Sequence, residues 1–126
     1  MIALPSSVRI LLWSEPVDLR RGFDGLAALV RRAGEDVFSG HLYCFVSRRS
    51  TRIKILTWQR GGFVLLYKRL DQGRFGPPRG DGAQLSLDAA QLALLLDGVD
   101  LRRVDRPVSW VPASRRTQGI DKAPPV

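Results

Sequence analysis

A chain of 126 residues with 44% hydrophobic composition suffices for one domain and leaves little room for a second. It contains no run of eighteen apolar residues, which excludes a membrane-spanning helix, and its single cysteine, Cys44, excludes an intrachain disulfide. The formal net charge of +8 and pI of about 11.0 favour a polyanion or an acidic protein as partner.

The first residues lack the basic stretch that opens a secretory leader, and Glu15 and Asp18 follow closely, so a cytoplasmic protein is expected. Val8 to Trp13 is an apolar run that reads as a strand. Glu15-Pro16 stops it, because Pro16 has no N–H and restricts the residue before it. Asp18 is a candidate cap for an early turn. From Leu19 to Arg32, Phe23, Leu26, Ala27 and Val30 recur at helical spacing, which predicts a helix near 22–33. Asp24 in its first half and Arg31-Arg32 in its last turn complement the helix dipole, and Gly34 is placed to end it. Arg20 and Arg21 oppose that dipole, and Gly22 weakens the helix. They mark either a contact surface or a turn before the helix proper.

His41 to Val46 is the next strand, apolar on both faces and therefore central. His41 has no cysteine or carboxylate cluster beside it, so it reads as structural rather than as a metal ligand or base. Arg52 to Leu70 then forms a β-hairpin. Strand-period alternation runs on both sides of Gln59-Arg60-Gly61-Gly62, whose glycines readily take positive φ. With His41–Val46 it makes a three-stranded meander. The Gly- and Pro-rich stretch to Gly82 is a loop, and Ala83–Leu85 offers a short edge strand. A second helix near 87–97 follows, with Ser86-Leu87-Asp88 as its cap and Gly98 as its end. Residues 1–106 read as a single domain, and 107–126 as a poorly ordered tail containing Pro and Arg, with Trp110 able to dock back. The predicted class is α+β: a four- or five-stranded, mostly antiparallel sheet with the two helices on one face.

Charge divides along the chain. Arg48, Arg49, Arg52, Lys54, Arg60, Lys68, Arg69, Arg74 and Arg79 lie between positions 48 and 80 with one acid, Asp71. These nine are the candidate DNA-binding residues, since arginine forks suit phosphate oxygens. Trp58 and Tyr67 are candidates for stacking on bases and equally for core packing. The stretch from Asp81 to Asp100 is acidic. Leu92, Leu94, Leu95 and Leu96 span more than one helix face, which makes them candidates for contact with another chain, a second copy included, and equally for an internal helix. No phosphate-binding glycine motif and no converging carboxylates are present, so neither cofactor nor catalysis is expected.

Four ordered blocks carry a resemblance: Val17–Leu26 (VDLRRGFDGL), Phe38–Leu42 (FSGHL), Arg52–Leu56 (RIKIL) and Lys68–Phe75 (KRLDQGRF). They closely resemble the TnpB accessory proteins of the sixty-six family of bacterial insertion sequences, which are unrelated to the RNA-guided nuclease of the same name. The resemblance runs from about Ile2 to Arg103 and includes Leu92–Asp100 (LALLLDGVD). Thr57, Gln59-Arg60 and Leu101 depart from the family's pattern. The resemblance implies a part in transposition without a catalytic reaction, since strand cleavage belongs to a separate transposase. Two roles stay open: binding of element-end DNA through the basic hairpin surface, or assembly with the transposase and other accessory proteins without DNA contact.

Overall fold

The computed structural model describes residues 5 and 7–103, so the expected tail and Trp110 lie outside the described residues. The elements in order are β1 (Ile10–Trp13), α1 (Phe23–Arg32), β2 (Leu42–Val46), β3 (Arg52–Gln59), β4 (Gly62–Arg69), β5 (Gln84–Leu87) and α2 (Ala89–Leu96), then a short 3-10 turn at Leu101–Arg103. They build one five-stranded sheet in the order β4-β3-β2-β1-β5. The β2-β3-β4 meander is antiparallel, as is β1 with β5. β1 and β2 pair in parallel, with Ile10 opposite Leu42. Parallel neighbours require a crossover, and α1 lies within it.

The α+β class and the mostly antiparallel sheet are those expected from the sequence. The placement of the helices differs. Ile10, Leu12, Cys44, Val46, Ile53 and Ile55 point to one side and pack with Leu92 and Leu95 of α2. Leu11, Trp13, Tyr43, Phe45 and Leu56 point to the other and pack with Leu26, Ala27 and Val30 of α1. Each helix therefore covers its own face. The reason is the strand period of two: β1 and β2 are apolar at every position, so both faces require a cover. Full burial of one such Leu, Val or Ile side chain contributes about 1.5–3 kcal/mol.

Local chemistry explains the helix ends. Both close with the same device, a positive-φ glycine after the last turn: Gly34 and Gly98 donate to the Arg31 and Leu95 carbonyls, and Glu35 and Val99 to those of Val30 and Leu94. Asp88 caps α2 in a reciprocal box with Gln91. Gly22 is the N-cap of α1 and supplies no side-chain bond. Asp18 instead caps the preceding turn by accepting from the Arg20 N–H at 3.0 Å. Residues 19–21 are thus a turn, and α1 begins at Phe23, whose ring is 44% exposed rather than part of the buried stripe. His41 is structural: its Nδ1 accepts from the Arg9 N–H at 3.0 Å.

Candidate nucleic-acid interface

The β2–β3 connection is short and held by its own backbone. Ser50 N–H donates to Ser47 O at 2.9 Å, Ser47 N–H to Arg52 O at 3.0 Å, and Phe75 N–H to Ser50 O at 2.6 Å. Arg48 and Arg49 form its tip, both exposed. Arg52 opens β3 directly opposite Arg69, the last residue of β4, and both are exposed. Like charges placed opposite one another across a strand pair oppose folding, so this pairing has a cost that a bound anion would remove.

Two positions along the same face, Lys54 lies opposite Tyr67. Its ammonium donates to the Leu19 carbonyl at 2.6 Å and the Arg21 carbonyl at 3.0 Å, and it stands 5.3 Å from the Tyr67 ring centroid. Lys54 thereby ties the turn before α1 onto the hairpin. The result is a groove of about 950 Å³, lined among others by Arg20, Arg48, Arg49, Arg52, Lys54 and Tyr67. Among the described residues, the one carboxylate on its wall is Asp18. The Arg20 guanidinium holds it with bonds of 2.7–3.1 Å and keeps its pKa well below the usual carboxylate range. Arg20's own pKa is raised by the same bond.

The nine basic candidates separate in space. Arg48, Arg49, Arg52 and Lys54 line the groove; Arg69 is paired to Arg52. Arg74 precedes Phe75, which is bonded to the same turn. Arg60 sits at the hairpin tip with φ 47° beside Gly61 at φ 85°. It is about 25 Å along β3 from Arg52 at the usual strand rise. Lys68 points to the opposite face, where its ammonium binds the Leu96 carbonyl at the C-terminus of α2, a favourable site for a cation. Arg79 is exposed in the loop before β5, the opposite edge strand. None of the nine forms an ion pair with a carboxylate among the described residues.

Trp58 packs edge-on against Phe38 and Phe63, with centroids at 4.9 and 5.0 Å, so it serves an aromatic cluster at the hairpin tip. Tyr67 is 52% exposed, in the groove. Of the leucines, Leu92 and Leu95 are buried in the core, while Leu94 and Leu96 are partly buried against it. The basic run between positions 48 and 80 does not include Arg20, which the fold nevertheless brings to the groove. Its signal in the sequence is the pair of arginines standing against the dipole at the head of α1. No group of three or more metal-ligating side chains among the described residues is placed to hold a metal ion.

Residues 8–106 match the sequence profile of the TnpB family of this insertion-sequence group, described as IS66 Orf2 like protein. The chain belongs to that family. It is 38% identical over 108 residues to the uncharacterized protein y4jC of Sinorhizobium fredii, covering 84% of this chain and 92% of that one. It is 34% identical over 113 residues to the uncharacterized protein y4hO of the same organism, covering 86% and 96%. No solved structure matches it. Membership in the TnpB family carries a non-catalytic, transposition-associated accessory role.

Proposed function

We propose that this TnpB-family protein binds the DNA of its insertion element directly, holding the sugar-phosphate backbone of the element ends in the groove formed by Arg48, Arg49 and Arg52. The observation that carries this reading is the exposed Arg52–Arg69 pair, opposed across the strands with no carboxylate partner among the described residues. A phosphate between two guanidinium forks turns that repulsion into charge-assisted hydrogen bonds. Contacts of this kind position a protein on DNA and carry little base specificity. Lys54 adds charge beneath the groove, with two of its ammonium N–H groups engaged by the Leu19 and Arg21 carbonyls. The footprint is therefore the end of the hairpin distal to its turn.

Mobility-shift titration against element-end DNA at several salt concentrations tests this. Affinity is expected to fall log-linearly with salt, by about 0.9 per phosphate neutralised on duplex DNA. Absence of binding at low salt with folded protein would sink the proposal.

A second reading, assembly with the transposase, is favoured by a different observation. Phe38 and Phe23 are 54% and 44% exposed and stack with Phe63 at the hairpin tip, with centroids at 5.9 and 6.4 Å. Light scattering of the protein mixed with its transposase discriminates the two. Co-elution that survives nuclease treatment supports assembly, whereas co-elution only in the presence of DNA supports the first reading.

A further inference from the structure

The two edges of the sheet are unlike. β5 is four residues long. β4 is eight residues long, GFVLLYKR, and pairs with β3 from Gly62 to Arg69 without a bulge. Natural edge strands are commonly guarded by shortness, proline, bulges or an exposed lysine. β4 has no proline and no bulge, and its lysine is diverted: the Lys68 ammonium is bound to the Leu96 carbonyl. Among the described residues five large hydrophobic side chains are exposed, and three of them, Val64, Leu66 and Tyr67, lie on this strand.

The free backbone groups of β4 follow from the register. Leu70 N–H donates to Thr51 O, so the pair 51–70 is hydrogen-bonded within the hairpin. Hydrogen-bonded pairs alternate along an antiparallel ladder, which assigns Gly62, Val64, Leu66 and Lys68 to the β3 side. Phe63, Leu65, Tyr67 and Arg69 then present their N–H and C=O groups outward, with no strand among the described residues to receive them.

A second copy meets this edge about a two-fold axis perpendicular to the sheet. Residues opposite one another must then share a face, which leaves two central registers. With Leu65 on the axis, Arg69 falls beside the turn of the other copy, next to its Arg60. With Leu66 on the axis, Arg69 lies opposite Phe63, Lys68 opposite Val64, and Tyr67 opposite Leu65. The second register engages every outward N–H and C=O of the strand and sets no like charges opposite each other. It also covers Val64 and Leu66.

We propose that β4 is the pairing edge for a second copy of this chain, joined antiparallel with Leu66 on the two-fold axis so that two sheets become one. The operation leaves both α1 faces, and with them both arginine grooves, on the same side of the joined sheet. The pairing itself rests only on the edge and stands or falls independently of DNA binding.

The test is light scattering of the full chain without DNA across a concentration series. Wild-type protein is expected to reach twice the single-chain mass of 14.1 kDa. Leu66→Lys and Leu66→Glu each place like charges opposite themselves on the axis, and each is expected to weaken self-association at least about tenfold. Leu66 is 45% exposed, so circular dichroism of both variants should match wild type. An equimolar mixture of the two should recover the double mass, a result that a merely damaged fold does not give. Wild-type protein that stays at single-chain mass overturns the proposal, including the case where Leu66→Lys loses only transposase binding. A dimer that persists in both variants overturns it too. So does a dimer abolished by Ser86→Pro, which blocks the β5 edge at an N–H that faces away from β1.

Discussion

Lys54 is the residue on which the groove's geometry depends. Its ammonium satisfies two main-chain carbonyls in the turn before α1, those of Leu19 and Arg21. Methionine at this position retains most of the stem and removes both bonds. Lys54→Met is expected to cost about 1–3 kcal/mol, because hydrogen bonds from a charged donor disappear and a partly buried acceptor is left unmet. Urea unfolding of the two proteins measures it, and an unchanged midpoint would mean that the turn holds without the lysine. Cys44 gives a second residue-scale expectation. It is fully buried, and burial pushes its thiol from 9.0 up to about 12. At neutral pH the thiol is protonated in both folded and unfolded chains and its burial stabilises fully. As pH rises past 9, the unfolded chain loses a proton that the folded protein keeps, so stability falls until about 12. The steepest slope from one such group is about 1.4 kcal/mol per pH unit. Burial also raises the Tyr43 ionisation, opposed by its bond to Ser39, so wild type alone does not isolate the thiol. The stability gap between wild type and Cys44→Ala should narrow between about pH 8 and pH 11. A gap that stays constant refutes the assignment.

At the scale of elements, much of the architecture was legible in the sequence. The hairpin followed from alternation on both sides of Gln59-Arg60-Gly61-Gly62, but the positive φ values of its two-residue turn fall on Arg60 and Gly61, one residue earlier than the glycine pair expected to take them. Helix ends at Gly34 and Gly98, the Asp88 cap and the central place of β2 followed equally from local chemistry. The distribution of the helices over the two faces was not legible from local pattern, although its signal was present. A strand apolar at every position needs cover on both faces, and β1 and β2 are such strands. Interpreting that signal requires knowing that they are neighbours, and their parallel pairing joins segments 32 positions apart. The candidate site was legible as a charge count and not as a place. A basic run from Arg48 to Arg79 contains residues on both faces of the sheet, and strand alternation sends Lys54 and Lys68 to opposite sides. Arg20 entered the groove because the turn capped by Asp18 brings it there; the arginines standing against the α1 dipole signalled a contact surface or a turn, but not which residues would share the surface. Leu92 and Leu95 face the sheet, since α2 has one face of its own to cover.

At the scale of the whole molecule, the separation of charges makes the DNA proposal local as well as testable. If the net charge alone attracted DNA, every arginine would contribute alike, and removing any equal number would lower the salt dependence equally. If the groove is the site, position decides. Arg48→Ala, Arg49→Ala and Arg52→Ala together remove three exposed guanidinium groups from one groove. Their side chains are exposed, so folding should survive. The slope of log affinity against log salt is then expected to fall by about 2–3, at about 0.9 for each phosphate of duplex DNA that is no longer neutralised. Arg60→Ala, Arg74→Ala and Arg79→Ala remove the same total charge from the hairpin tip and the loop after β4. Arg60 and Arg79 lie outside the groove, and only Arg74 neighbours the turn that carries Arg48 and Arg49. This second variant is expected to lower the slope by less than about 1. Both variants carry the same net charge, so long-range attraction is matched and the difference reports direct phosphate binding. Equal slopes in the two variants would remove the groove as the site and leave only a diffuse electrostatic attraction.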